Sequence, residues 1–358
     1  MLSIKKSIKI KLILLLVKLI ATIKCNYRKI QKVIIMNMQH IEYILVLARE
    51  KSFSKAAEHL FMTQSALSQY VRKQEQQLGI TLFNRGNGPI TLTPEGELYV
   101  QTLQKIKMDM LDFHRQLADL TELRPGRLVI GTSSFRATNL LPRVIKDFTG
   151  YYPGIELEII TDNINRLKDG LMSGQIDFCI ENDYFEKDIF HCETLFTETH
   201  YLAVPKEHPL NDILNGDVLT ANDIGNETSR FFSASPVTLE QCKNTDMIGV
   251  KPGNSFYKCH ADMFKEAGIK PQHITSVDNI ETAFRWADMG IAIAIIPDSL
   301  ILHGDFQNHP NYYKLDLIHA TQEIVFAMRN GRYVSAATKK FLDVLRTLIG
   351  FGTWNMPH

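Results

Sequence analysis

The chain has 358 residues, 45% of them hydrophobic and 22% charged, with 40 Lys or Arg against 39 Asp or Glu. That length is too great for one small core and predicts two or three domains of ordinary globular composition. The net charge of +1 hides an asymmetry: residues 1–35 carry nine basic residues and no acid, leaving 31 basic against 39 acidic in the rest. A uniformly basic, DNA-coating chain is thereby excluded, and any nucleic-acid contact must concentrate positive charge locally.

The first stretch, 1–37, joins Lys5, Lys6, Lys9 and Lys11 to Leu12-Ile-Leu-Leu-Leu-Val17. Lys18 interrupts that run after six residues, far short of the roughly twenty needed to span a bilayer. No small-residue cleavage site follows near Ala21, so translation is expected to start at Met36 or Met38, with the leader a misassigned start.

Between Met38 and Thr93 six Lys or Arg face four Glu, a mildly basic segment. Ser54-Lys-Ala-Ala-Glu-His-Leu60 is alanine-rich and helix-favouring, with Ser54 read as its N-cap. Phe61-Met62 breaks the register and Thr63 offers a second cap, so two short helices meet at a tight turn. Ala57 is small enough to let them approach. Leu60, Leu67, Val71 and Leu78 are expected in the core, leaving Gln64, Ser65, Ser68, Gln69 and Arg72 on the outer face. Gln and Ser can hydrogen-bond base edges in the major groove, and Arg reads guanine or holds a phosphate. An ordinary solvated face of a helical bundle would show the same periodicity. Leu82-Phe-Asn-Arg85, the turn Gly86-Asn-Gly-Pro89 and the strand Ile90-Thr-Leu92 then complete a winged helix-turn-helix.

Ala56-Ala57, Leu60, Thr63-Gln-Ser-Ala-Leu-Ser68, Glu75, Leu78-Gly79, Leu82-Phe83, Arg85, Leu92-Thr93 and Gly96 together resemble the amino-terminal signature of LysR-type transcriptional regulators. The resemblance is dense over about sixty residues, which makes it specific. It implies a DNA-reading set of Lys55, Thr63, Gln64, Ser65, Ser68, Gln69, Arg72 and Arg85. Two departures stand out. Gln74 puts a polar residue on the apolar stripe, and the wing carries Arg85 without a further basic residue, which lowers the expected number of phosphate contacts.

Thr93, Pro94, Glu95 and Glu97 then mark the start of a helix running toward Leu123, where Arg124-Pro-Gly126 stops it. Tyr99, Leu103, Ile106, Met110, Phe113, Leu117 and Leu120 are spaced alternately by four and three residues. This seam is either packed on its own domain or paired with a second helix. Pairing is the reading adopted, with Leu103, Ile106, Met110, Phe113 and Leu117 as the dimer contacts.

After Gly126 strands alternate with helices. Leu128–Thr132, Ile155–Thr161 and Phe178–Glu181 read as strands, with helices over Leu140–Phe148 and Asn165–Met172. That order predicts a parallel, doubly wound sheet. Leu195–Val204 reads as a long strand, and Asn211–Ser235 as an insertion with no assigned role. Glu323–Arg329 and Ser335–Ile349 form a closing strand and helix. The domain expectation is a head over 38–93, a linker and dimerisation helix over 94–124 and an effector domain over 127–358. Within the last, one subdomain covers about 127–203 and 304–358, the other about 204–303. The fold class is α/β with an N-terminal all-α winged helix-turn-helix, a long linker helix and a two-subdomain effector domain like that of periplasmic binding proteins.

No catalytic signature is present: no Gly-x-Ser-x-Gly, no HExxH and no phosphate-cradling or dinucleotide loop. Cys25, Cys179, Cys192, Cys242 and Cys259 form no CxxC pair, which fits a reducing cytoplasm, and no metal or cofactor is expected. Cys179 and Cys192 would make a redox switch as in the family's peroxide-sensing branch, or Cys179 is simply a buried small hydrophobe. Ligands of open α/β sheets sit beyond the carboxyl ends of strands. Thr132, Ser133, Ser134, Thr161, Asn163, Pro252, Gly253 and Asn254 occupy three such loops, which match the family's effector-contacting positions. Their amides and hydroxyls suit a small anion, although Asp162 would oppose one. Each taken singly is equally a helix cap or a turn.

The resemblance implies a cytoplasmic homodimer or homotetramer that binds double-stranded operator DNA under a small-molecule effector, with RNA polymerase as a further partner and no membrane. The alternative is a solute-binding protein of periplasmic type, which shares the two-lobed architecture but needs no DNA-reading head.

Overall fold

The computed structural model describes residues 40–85, 89–121, 126–214, 216–304, 306–349 and 352–353, so the leader, the tip of the wing turn and the Arg124-Pro125 stop lie outside the described residues. The chain divides into two compact units, Met1–Leu111 and Asp112–His358, with the boundary inside one long helix.

In the first unit, α1 (40–50) precedes α2 (Phe53–His59) and α3 (Gln64–Leu78). Strands β1 (Phe83–Asn84) and β2 (Thr91–Leu92) pair antiparallel as the wing, and α4 (Pro94–Thr121) follows. Ala56, Ala57, Leu67 and Val71 bury against Ile44 and Leu47 of α1 and against Val100 and Leu103 of α4. Thr63 caps α3 through its hydroxyl, which accepts from Ala66 N at 3.2 Å. The cap of α2 is Ser52, which accepts from Lys55 N, whereas Ser54 lies inside the helix and donates to Gln64 Oε1. The helix thus begins earlier than the alanine pattern indicates.

Leu78 is also a correction. It is 42% exposed, because the chain turns back at the left-handed Gly79 (φ 71°) and that end of the core is closed by Leu82 and Phe83. Gln74 is half-buried and donates to Gln77. Thr93 caps α4 as expected, accepting from Gly96 N at 2.9 Å. A Cβ on Gly96 would stand 2.0 Å from Leu82 O, so only glycine fits there. Leu103 turns into the head's own core and is not available to a second chain.

The second unit begins in α4 at Asp112, whose carboxylate accepts from Arg332 Nε, while Asp119 accepts from Tyr333 Oη and Ala336 N. Its elements run β3 (Arg127–Thr132), α5 (Ser134–Asn139), α6 (Leu141–Tyr151), β4 (Glu156–Thr161), α7 (Ile164–Ser173), β5 (Phe178–Asn182) and β6 (Phe190–Val204). Then come α8 (Ala221–Gly225), α9 (Ser229–Ser233), β7 (Asp246–Val250), α10 (Tyr257–Glu266), β8 (Gln272–Val277), α11 (Ile280–Asp288) and β9 (Ile293–Pro297). Helix α12 (Asp298–His303), β10 (Asn311–Lys314), β11 (Thr321–Arg329), α13 (Ala336–Ile349) and β12 (Gly352–Thr353) complete it.

The sheet order is β4-β3-β5-β11-β6-β9-β7-β8, with β10 and β12 also on β6. It is mixed and not purely parallel. β3 pairs parallel with β4 and β5, but β11 runs antiparallel to β5 and β6. Antiparallel neighbours need no helical crossover, so the βαβ rhythm pauses after β5; it resumes in β7-α10-β8-α11-β9, where β7 pairs parallel with β8 and β9. Strand β6 is five residues longer than expected at its start and serves two lobes. Phe190–Thr199 pairs with β11, and His200–Ala203 pairs with β9. Each lobe has its own core: Leu128, Ile130, Phe148, Phe178 and Phe341 in the first, Ile248, Phe256, Phe284 and Ile296 in the second. The 211–235 stretch packs on the second lobe, with Leu219, Ile224 and Ala234 in that core, Leu214 in a neighbouring cluster with Leu202 and Tyr313, and Leu219 bridged to Tyr312.

Candidate DNA-reading face and effector cleft

On α3 the first turn carries no acidic side chain, so nothing offsets the partial positive charge of its free amides. Gln64, Ser65, Gln69 and Arg72 are exposed, Ser68 is half-buried, and Lys55 is exposed on α2. Thr63 spends its hydroxyl on the cap and on Ser65 Oγ, 3.1 Å away. Arg85 is less free than the sequence suggests. Its guanidinium meets Glu75 at 2.8 Å and stands 5.3 Å from the centre of the Phe53 ring. Glu75 also accepts from Leu82 N and Phe83 N. One carboxylate therefore fixes the start of the wing against α3, a role its position in the motif does not reveal.

In the second unit the carboxyl ends of β3, β4, β5 and β7 open on a cleft. One arm, of about 460 Å³, is lined by Ser133, Ser134, Asn163, Pro252, Gly253 and Asn254. A second arm, of about 610 Å³, shares Asn163 and Pro252–Ser255 and extends to Tyr184 and Lys258. Six of the eight residues chosen from sequence thus come together. The other two do not line the cleft. Thr132 is buried, and its hydroxyl donates to Ile180 O at 2.7 Å; Thr161 is exposed beside it at the end of β4. Ser133 and Asn163 cap α5 and α7 as well as facing the cleft, so cap and lining are the same residues.

Charge on the lining of the first arm runs against an anion. Asp162, Glu181, Asp278 and Glu281 face the first arm with Lys251 as the one basic residue, itself paired to Asp278 at 3.0 Å. Glu181 sits at the carboxyl end of β5, the position that identifies a cleft residue, and sequence reasoning passed it over.

Behind the cleft lies a buried ionic network. Arg136 on α5 is 1% exposed and lies 3.6 Å from Glu181 and 3.2 Å from Glu198. Its Nη2 also donates to Asn182 Oδ1 at 2.5 Å, and its guanidinium stands 5.8 Å from the ring centres of both Phe135 and Phe256. Glu181 accepts from Ser133 N, and Glu198 accepts from the Ser299 hydroxyl. Burial, then the Glu198 charge, hold the Asp298 carboxyl well above its ordinary 3.8. Burial pulls His200 below 6.5, where its ring stands 3.8 Å from Cys259 Sγ. Cys179 is pushed well up by burial in β5 and behaves as a small hydrophobe.

The Asp298 shift has a measurable sign. The folded chain binds that proton more tightly than the unfolded one, so its stabilisation is complete below about pH 4 and fades as pH rises. Asp298→Asn retains an acceptor for Thr199 N and should flatten the fall in thermal stability above pH 4. An unchanged slope across a pH series would show that Asp298 is ionised in the fold.

A winged helix-turn-helix followed by a two-lobed α/β domain with a cleft defines a ligand-responsive DNA-binding protein. Residues 38–97 match the bacterial regulatory helix-turn-helix protein, lysR family, and residues 121–349 match the LysR substrate binding domain. The chain belongs to the LysR family: it is a DNA-binding transcriptional regulator with an effector-binding substrate domain, not a solute-binding protein.

Among its relatives is the uncharacterized HTH-type transcriptional regulator YcgK of Bacillus subtilis, 28% identical over 316 residues, 87% of this chain and 94% of that one. The HTH-type transcriptional regulator AlsR of the same organism is 25% identical over 314 residues, 86% and 95% of the two chains. A single-residue variant of full-length OxyR from Pseudomonas aeruginosa shares the fold at 22% identity, with a TM-score of 0.60 over 86% of this chain and 94% of that one. No helix among the described residues is long and apolar enough to cross a membrane.

Proposed function

We propose that α3 enters the major groove of operator DNA, with Gln64, Ser65, Ser68 and Gln69 at base edges. Arg72 and Lys55 hold phosphates, and Arg85 reaches one only by sharing its Glu75 contact. The exposed Gln64, Ser65 and Gln69 on the leading half of α3 carry this reading. The head is the segment 38–93, α4 is the linker, and Ile106, Met110, Phe113 and Leu117 pair two chains into a dimer, or into a tetramer of such dimers. A small effector binds at Ser133, Ser134, Asn163 and Pro252–Asn254 and biases the geometry of the oligomer. The carboxylates of the first arm count against a simple anion there, whereas Lys168 and Lys258 line the second arm. The protein works in the cytoplasm, has no catalytic role, and acts on transcription with RNA polymerase as a further partner.

Gln69→Ala should cost roughly 1–3 kcal/mol on the cognate operator and relax specificity there, while Arg72→Gln should weaken all DNA alike and lower the salt slope by about one. Titrations on cognate and random duplexes at several salt concentrations decide between these. Equal loss on both duplexes for Gln69→Ala would remove that residue from base readout.

A further inference from the structure

The second lobe holds a separate cavity of about 340 Å³, between α10 and strands β7 and β9. One face of α10 lines it, with Tyr257, His260, Ala261, Phe264 and Lys265 at helical spacing. The opposite wall is Met247, Ile248, Val250 and Ile295, all buried in the lobe. The cavity opens to solvent past the exposed Tyr257 and Ala261, and its apolar wall offers water few partners. Its floor is apolar, while Lys265 and Lys270 stand exposed at its rim. Neither lysine has an ion-pair partner among the described residues. The two acids of α10 are engaged elsewhere, Asp262 with Lys258 and Glu266 with Ile318 N and His319.

We propose that this cavity is a second ligand site, distinct from the effector cleft, and that it takes a small carboxylic acid with an apolar body. The hydrocarbon fills the space against Met247, Phe264 and Ile295, and the carboxylate meets Lys265 and Lys270. Apolar walls with a few convergent polar groups are what such sites require. The two sites share α10. Tyr257 lines both the cavity and the second arm of the cleft. His260 stacks on Phe256 at 6.4 Å, and Phe256 meets Phe135 of the first lobe edge-on at 5.1 Å. An acid seated under α10 therefore sets the position of a wall of the cleft.

Calorimetry of the full chain with sodium octanoate tests this, with octylammonium and octanol as probes of the charge. Octanoate should bind one per chain, octanol more weakly and octylammonium not at all. The pair Lys265→Gln and Lys270→Gln, both at the surface, should weaken octanoate about tenfold or more. Ala261→Trp, which fills the cavity, should abolish binding, and Ser134→Trp, which fills the cleft, should leave one octanoate bound per chain with its affinity shifted through α10. No octanoate binding at millimolar concentration, equal binding of octylammonium, or loss on Ser134→Trp without loss on the lysine pair would each overturn the proposal.

Discussion

Arg136→Met is expected to destabilise the substrate-binding domain by about 3–5 kcal/mol, a drop in melting temperature of roughly 10 °C. The size follows from burial. Arg136 is 1% exposed and faces Glu181 and Glu198, 2% and 1% exposed. Removing the cation leaves two carboxylates in a dry site with Asp298 beside them. A neutral replacement of one should recover much of the loss, so Arg136→Met with Glu198→Gln should melt well above Arg136→Met alone. The deficit should also shrink at acid pH, where the stranded carboxylates take up protons. Thermal unfolding of the three proteins at two pH values gives the answer. A variant as stable as the parent would mean that water reaches both carboxylates.

The second large effect belongs to α4. Ile106 and Phe113 are 43% and 45% exposed, and Leu120 is 81% exposed, each seven residues from the next. Such a row of large apolar side chains is unfavourable in water and fits a facing helix of the same kind. Phe113→Glu would set two like charges against each other there, so the dimer should dissociate. A single head covers one half-site, and loss of the second head should weaken operator binding on the order of 100-fold or more. Sedimentation and DNA titration of the variant test both statements. A variant that remains dimeric with its operator affinity intact would place the pairing surface elsewhere.

Features set by neighbours in sequence were legible from the chain alone. Thr63, Thr93 and Pro94 announce helix starts because a cap depends on the three residues that follow it. The loops after β3, β4 and β7 were legible as walls of one cleft because strand order brings those carboxyl ends together. What escaped depends on distant partners. Leu78 and Leu103 have the right period for their expected places, but period does not say which apolar surface lies opposite. Thr132 was misread because its hydroxyl had a carbonyl waiting at Ile180, 48 residues away. The Arg136 network joins α5, β5, β6 and α12, and no spacing rule links those positions. Ser52 is hidden because Ser54, two residues along, stands equally well before the alanine pair, and only the Ser52 hydroxyl meets Lys55 N.

Strand β6 crosses both lobes without a break, fifteen residues from Phe190 to Val204. Lobes joined by loose loops can swing apart about a slack pivot, but a continuous extended strand held on one edge by β11 and then by β9 resists bending more than it resists twisting. Glu198, Thr199 and His200 lie where its partners change from β11 to β9, and there each residue is held on one edge alone. Any movement of one lobe against the other is thereby expected to twist the strand at these three residues sooner than to fold it.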